Sequence, residues 1–328
     1  MTKQITTRPQ LDIERAKNRF AMSDVVRRHV KLRKTGHEYV GLCPFHDENT
    51  PSFRVNDAKG LFHCFGCGAS GDVIDFIRHV EGRSFVEAVC ELLDEDGLPE
   101  ATPQDRGKAE RRDRADRAAA ILAAQAEWHE ARSIIGTPAE HYLRLRGIFG
   151  DMPPTVRFGR VPLWRNKKTG ADGRRLPALL LGAQDHTGKI VGVQHVFLTE
   201  DGQKAPIANP KLSLGQVRGC AVRLAPPARR IILIEGPEDG LTMRQRVQRA
   251  PVWITLGTGM MPFVELPPEV EHVTLAGDNN APGRAAVAKA MEEYQRQGRT
   301  VDAIFPPPAF EDWNDELRGI EMTPPSPA

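Results

Sequence analysis

The sequence predicts a multidomain α+β chain, and three observations predict it. Two pairs of metal-ligating residue types, Cys43-Pro44-Phe45-His46 and Cys64-Phe65-Gly66-Cys67, lie seventeen residues apart near the N-terminus. Asp- and Gly-rich turns separate β-like apolar runs through the middle of the chain. Toward the C-terminus, short continuous apolar runs alternate with helical stretches. The first pattern implies a small metal-knit module and the second an α+β module. The third implies a C-terminal α/β domain with a mostly parallel, two-sided sheet.

Each ligand pair has two residues between its members, so one tight turn aims both side chains at a single ion. Two such knuckles make a tetrahedral Cys3His zinc site with Cys43, His46, Cys64 and Cys67 as ligands. All four positions are filled, which marks the Zn2+ as structural. His63 precedes the second knuckle but points to the other side of a strand, so it is expected not to ligate.

The 328 residues suffice for two domains and a small third one, with a formal charge of only +2. Total charge therefore does not announce a nucleic-acid binder, and any basic surface must be local. No apolar run approaches the ~18–20 residues that span a bilayer, and the N-terminus has no signal-peptide core. Few cysteines, with the paired ones suited to metal, fit a reducing cytoplasm. Cys90 falls on the apolar side of Phe85–Leu93 and is expected to be a small buried hydrophobe. Cys220 has no evident partner, and both thiols are expected to be inert.

The elements follow in order. Residues 12–30 read as two short helices broken near Met22-Ser23-Asp24, with Ser23 or Asp24 capping the second. Lys31–Lys34, Glu38–Val40, Ser52–Val55 and Leu61–His63 read as strands of a small antiparallel sheet. Asp72 is expected to cap a helix through His79, and Ser84 another ending near Asp94. Residues from Asp94 to about Arg114 have the polar composition of a linker, with a solvated helix equally open for the second half because the stretch continues without a breaker into a helix through Ala124. In the middle, Ala178–Leu181, Ile190–Leu198 and Ala221–Leu224 are strands. Then come a strand at Ile231–Ile234, a helix from Asp239 to Arg249, and strands at Val252–Thr255 and Val273–Ala276. A helix from Gly283 to Gln297 and a strand at Val301–Phe305 complete the alternation. The expected division is residues 1–95, 96–124 (linker and helix), 125–227, 228–320 and a tail, 321–328.

The residues around the knuckles say more than the ligands. Gly41-Leu42-Cys43-Pro44-Phe45-His46, Thr50–Val55, Phe62–Gly68 and Gly71–Ile77 together closely resemble the N-terminal zinc-binding domain of DnaG-type DNA primases. That resemblance covers roughly the first ninety residues. Tyr142–Ile148 resembles a segment that precedes the catalytic core in many phage and mobile-element primases.

In parallel sheets the active site lies outside the carboxyl ends of the strands. This chain puts acids there twice, at Glu235 in Glu235-Gly236-Pro237-Glu238-Asp239-Gly240 and at Asp278 in Ala276-Gly277-Asp278-Asn279-Asn280-Ala281-Pro282-Gly283. A glutamate in one strand-to-helix turn and an Asp-x-Asp in a later one resembles the Toprim fold, over about residues 228–320. That fold is shared by DnaG-type primases, topoisomerases and some nucleases. Asp239 matches an acidic position of the primase version, and Asp312-Trp313-Asn314-Asp315 a later acidic motif. Here the second member of Asp-x-Asp is Asn280, which offers a carbonyl oxygen but one negative charge fewer. A bare helix cap is the competing reading of Asp278 and Asn280.

The resemblance implies a compact primase, of phage or mobile-element type, that makes RNA primers on single-stranded DNA from ribonucleoside triphosphates. Mg2+ or Mn2+ would be held by Glu235 and Asp278, with Asp239, Asn280, Asp312 and Asp315 in the catalytic set. Carboxylates suit these hard cations, and two ions about 3.5–4 Å apart stabilise both attacking and leaving oxygens. Lys204 and Lys211 fall where the family places lysines for template and nucleotide, with Arg157 and Arg160 as further phosphate contacts. On the zinc module, Lys31, Arg33, Lys34 and Arg54, with Phe53 and Phe65, would meet template by charge and stacking. The chain stops soon after the Asp312 motif, so any helicase is expected to be a separate partner, and no membrane is involved. A primase-like DNA-binding accessory, suggested by Asn280, and a Toprim nuclease are the other two classes.

Overall fold

The computed structural model describes residues 9–83, 85–94, 103–165, 171–207, 209–247 and 250–322. The chain divides into two compact units, Met1–Arg117 and Ala118–Ala328.

The first unit opens with helices α1 (Pro9–Arg19) and α2 (Met22–Val26). Strands β1 (Arg33–Thr35), β2 (Glu38–Gly41), β3 (Phe53–Asn56), β4 (Leu61–Cys64) and β5 (Ser70–Asp72) follow, then helices α3 (Val73–Glu81) and α4 (Phe85–Asp94). The five strands pair antiparallel in sequence order. Alternation along β3 sends Phe53 and Val55 inward, where they meet Phe62, Phe76, Ile77, Val25 and Leu92. Asp72 caps α3 as expected: its carboxylate accepts from the Ile74 and Asp75 amides, and Asp75 reciprocates.

Three expectations change here. The second helix begins at Met22 with Ala21 at its cap position, so neither Ser23 nor Asp24 caps it. Ser23 is buried instead and gives both its amide and its hydroxyl to Asp57, at 2.7 and 2.9 Å. Cys90 is exposed, because Ala88, Val89 and Leu92 supply the buried face of α4. The proposed cap Ser84 and residues 95–102 of the expected linker lie outside the described residues. From Pro103 the polar stretch is already helical, as α5 (Pro103–Glu130). Asp113 on α5 is buried, accepts from Asn56 and Arg117, and faces His37 at 3.4 Å.

In the second unit, α6 (Pro138–Arg144) precedes an antiparallel sheet of β6 (Val156–Pro162), β7 (Arg175–Gln184), β8 (Ile190–Phe197) and β9 (Lys211–Gly215). Short β10 (Val222–Arg223) leads into β11 (Arg230–Ile234), α7 (Pro237–Arg246), β12 (Val252–Ile254), β13 (His272–Ala276), α8 (Ala281–Arg296), β14 (Thr300–Ile304) and α9 (Trp313–Arg318). Their strand order is β10-β12-β11-β13-β14, parallel except for β10. The mostly parallel sheet is as read from the sequence. Edge strands β6 and β9 were not foreseen, β9 because its Lys211-Leu212-Ser213 start is exposed and carries no apolar run.

The run Ala221–Leu224 also moves. Only Val222 and Arg223 form a strand, and it joins the C-terminal sheet rather than the middle one. Ala221 bridges back to Gln184 of β7, so the chain passes from one sheet to the other within a residue. One buried cluster then draws on both sheets, with Leu179, Leu181 and Val196 packed with Ile232, Ile234, Val252 and Ile254. Burial at roughly 25 cal/mol per Å² of apolar area makes that shared cluster a strong bond between the two modules.

Candidate active site and metal centre

The ligand atoms of Cys43, His46, Cys64 and Cys67 all lie within 4.8 Å of one another, a grouping found once among the described residues. Cys43 and Cys67 sulfurs are 3.8 Å apart, as are Cys64 Sγ and His46 Nδ1. Tetrahedral Zn–S bonds of about 2.3 Å put two sulfurs about 3.8 Å apart, so the donors fit a zinc ion. His63 lies outside the group. The knuckles are pre-shaped by amides of Phe45, Gly66 and Cys67 that donate to ligand sulfurs. A Cβ on Gly66 would stand 2.5 Å from His46 Nε2, so only glycine fits there.

Sequence reasoning missed Glu48. Its carboxylate accepts from the Cys43 and Ser52 amides and faces His46 Nε2 at 3.4 Å. Carboxylates commonly orient a metal-bound histidine through its second nitrogen in this way. A carboxylate two residues past the second ligand of the first knuckle is the signal that would have pointed to it.

On the ribbon surface the two phenylalanines separate. Phe53 is fully buried, whereas Phe65 is 60% exposed and carries the Arg54 guanidinium 5.6 Å above its ring. Lys31, Arg33 and Lys34 are exposed nearby in sequence, with the Lys34 ammonium 5.4 Å from the Tyr39 ring.

The second centre forms at the carboxyl ends of β11 and β13. Glu235 follows β11 directly, and Gly236 opens α7 with room for Asp239, since a Cβ there would lie 2.8 Å from Asp239 Oδ2. Leu256, after β12, is the one non-glycine residue with positive φ (65°) among those described, and its amide donates to the Glu235 carbonyl at 3.1 Å. That hydrogen bond, made from a strained backbone, ties the Glu235 turn to the segment after β12. Asp278 follows β13 by two residues. Asn279 ties its turn to the 306–311 loop by donating to the Pro306 and Phe310 carbonyls, at 2.9 and 2.7 Å. Asp312 caps α9, and buried Asn314 donates its amide to Asp239 at 3.0 Å and its side chain to Thr242 and the Arg146 carbonyl. Asn314 therefore docks the Asp312 motif on α7.

The carboxyls act on one another. Burial, then the charges of Glu235, Asp312 and Glu311, push Asp278 up to about 7. Burial and the charges of Asp312 and Asp278 raise Asp239 well above the usual range, and burial with Asp312 raises Asp315. Asp278 Oδ1 is buried with no hydrogen-bond partner among the described residues. A crowd of mutually repelling carboxylates around such an oxygen fits a divalent cation.

Asn280 behaves differently. Its side-chain oxygen accepts from the Gly283 amide at 2.8 Å, capping α8, and its nitrogen faces Glu311. The capping alternative thus describes Asn280, whereas Asp278 makes no cap.

Two cations reach this centre, and they do so through a residue the sequence reading passed over. Glu238, 7% exposed, takes the Lys211 ammonium at 2.9 Å and the Lys204 ammonium at 3.4 Å, while the Tyr142 hydroxyl donates to its Oε1. Burial pushes the Glu238 carboxyl up, but Lys211 and Lys204 overcome it and hold the group at about 2. Arg157 and Arg160 are not brought here. They sit on β6, the opposite edge of the sheet from β9, where Arg157 stacks on Trp128 and Arg160 pairs with Glu200 at 2.6 Å.

Residues 8–107 match the CHC2 zinc finger family, the DnaG zinc ribbon, and residues 230–320 match the Toprim domain. The chain carries a DnaG-type zinc ribbon and a Toprim domain. Between these two parts, residues 118–224 match a domain of unknown function (DUF7146). A DNA primase of Lactococcus lactis is 38% identical over 154 residues, covering 44% of this chain and 23% of that protein. One from Mycolicibacterium smegmatis is 41% identical over 160 residues, covering 46% and 24%. The chain thus matches about a quarter of the length of these DnaG-type relatives. The crystal structure of the Aquifex aeolicus primase (zinc binding and RNA polymerase domains) covers 94% of this chain and 84% of its own, at 22% identity and TM-score 0.41. Among the described residues, no helix is long and apolar enough to cross a membrane.

Proposed function

We propose that this chain is a DNA primase, making short RNA primers de novo on single-stranded DNA by metal-dependent nucleotidyl transfer. The observation that carries the reading is the juxtaposition of Asp278, its unpartnered buried oxygen and its neighbouring carboxylates with the Lys204–Glu238–Lys211 group. Relatives named DNA primase support it.

Glu235, Asp239, Asp278 and Asp312 are the residues that would hold Mg2+ or Mn2+. Bound there, such cations supply Lewis-acid stabilisation of the attacking and departing oxygens. Lys204 and Lys211 offset the charge of an incoming ribonucleoside triphosphate and of template phosphates. Asn314 and the α9 cap keep Asp312 in range of Asp239 and Asp278. On the ribbon, exposed Phe65 offers a stacking face, and Lys31, Arg33, Lys34 and Arg54 contact template phosphates. The zinc ion shapes that surface and takes no part in the chemistry. Arg157 and Arg160 are left to template lying away from the carboxylates. A reducing cytoplasm suits the unpaired thiols of the ligand set. Since Asn280 is engaged as a helix cap, its amide gives little ground for the accessory reading.

The test is incorporation of labelled ribonucleotides on single-stranded DNA, comparing native protein with Asp278→Ala and Glu235→Gln. Short products from the native chain that vanish in both variants are expected. No ribonucleotide incorporation by native protein with Mg2+ or Mn2+, while DNA still binds, would sink the proposal. Cleavage of the DNA without ribonucleotides would point to the nuclease class instead.

A further inference from the structure

Glu238 stands beside the carboxylate centre without belonging to it. Its two oxygens are shared among Tyr142 from α6, Lys204 from the β8–β9 connection and Lys211 from β9. A buried glutamate with three partners from three segments is held in one place, and it holds them in turn. Lys211 also lies near enough to Asp278 for its charge to act on that carboxyl. The side chains of Lys204 and Lys211 are 39% and 37% exposed, so neither is locked by burial of its own.

Two lysines on the rim of a repelling carboxylate cluster face a choice of anion. Without Glu238, the nearest uncompensated negative charge is the cluster itself, Asp278 with its unpartnered oxygen foremost. An ammonium seated there would occupy the oxygens that a divalent cation needs. We propose that Glu238 is a positioning residue that holds Lys204 and Lys211 off the neighbouring carboxylates, leaving those oxygens open to a divalent cation. This inference rests on the metal-site part of the proposed function. It assigns Glu238 no contact with substrate: it acts through the lysines, keeping them at the rim where phosphate would meet them.

The experiment is Mn2+ binding to the full, zinc-loaded chain, read from the electron paramagnetic resonance signal of the free ion, so that no turnover is needed. Native protein, Asp278→Asn, Glu238→Gln and the triple variant Glu238→Gln/Lys204→Gln/Lys211→Gln are compared, with folding checked by circular dichroism. Expected are tight binding by native protein, its loss in Asp278→Asn, and weakening of about tenfold in Glu238→Gln. The triple variant, which has no ammonium left to compete, should recover the native affinity. Native-like affinity in Glu238→Gln, with Asp278→Asn still defective, overturns the inference and leaves the metal site standing. A triple variant that binds weakly also overturns it, because the loss would then be structural. If Glu238→Gln alone fails to fold, weak binding by the triple variant still overturns the inference. No Mn2+ binding by native protein overturns both the inference and the metal-site reading beneath it.

Discussion

Asp278 is stable chemistry only when something positive meets it. Its carboxyl is pushed to about 7 by burial and by Glu235, Asp312 and Glu311, and its Oδ1 has no hydrogen-bond partner among the described residues. In divalent-free buffer with zinc retained, Asp278→Asn should therefore melt higher than native protein, by about 3 °C or more. Calorimetry with added Mn2+ should reverse the order, since only the native chain gains by binding the ion. The pH sign follows from the raised folded value. Between the unfolded carboxyl range and about pH 7 the native state binds the extra proton, so stability without divalent ion falls as pH rises. Native protein should gain stability as pH drops from about 8 to 5, and Asp278→Asn should gain less. Glu235 and Asp278 were legible in the sequence because each closely follows a locally recognisable strand, whereas Asp312 was read only from its resemblance to a later acidic motif. Glu238 was not legible, although it stands within the motif quoted for Glu235. Its meaning comes from Lys211 and Tyr142, 27 and 96 residues away in the chain, and no local pattern encodes that meeting.

Elements carry these residues into place by their caps and turns. Asp72, Asn280 and Asp312 all accept amide protons at helix starts. Asn280→Ala should cost about 1 kcal/mol of stability, measurable in urea melts, through the lost α8 cap. Asn280→Asp keeps a capping oxygen and should hold stability within a few tenths of that, although its new charge faces Glu311. Primer yield unchanged in Asn280→Asp is the expected outcome, and a large gain would return the residue to the catalytic set. Helix α5 shows where composition leaves the choice open. Polar, charge-rich residues from Pro103 onward read equally as linker or solvated helix, and they form a helix whose Asp113 finds Asn56, Arg117 and His37. Propensity and i,i+4 pairing favour helix there as readily as solvation favours coil. Strand β9 was missed, being an edge strand whose exposed start gives no apolar signal.

At the scale of the molecule, the Cys3His group and the proposed divalent-cation site belong to two units built on different donors, thiolate and imidazole in one, carboxylate in the other. Cys43→Ser should lose zinc and, with it, the ordered ribbon, because the binding free energy of a structural zinc is folding free energy. The same variant should still bind Mn2+ with native affinity while primer synthesis falls, a separation that metal analysis and the incorporation assay read together. Within the second unit, Ile232, Ile234, Val252 and Ile254 share one core with Leu179, Leu181 and Val196, and β10 crosses from the middle segment into the C-terminal sheet. By itself the sequence determined the zinc ligands, the alternation of the parallel sheet and the acids at its strand ends. Ligand spacing, apolar periodicity and strand-to-helix turns are all properties of near neighbours. Only the tertiary structure decided that Phe53 is core and Phe65 surface, that Arg157 and Arg160 lie on the far edge, and that Glu238 gathers the lysines. Those outcomes depend on which distant segments pack together, and burial and charge pairing are settled by that packing alone.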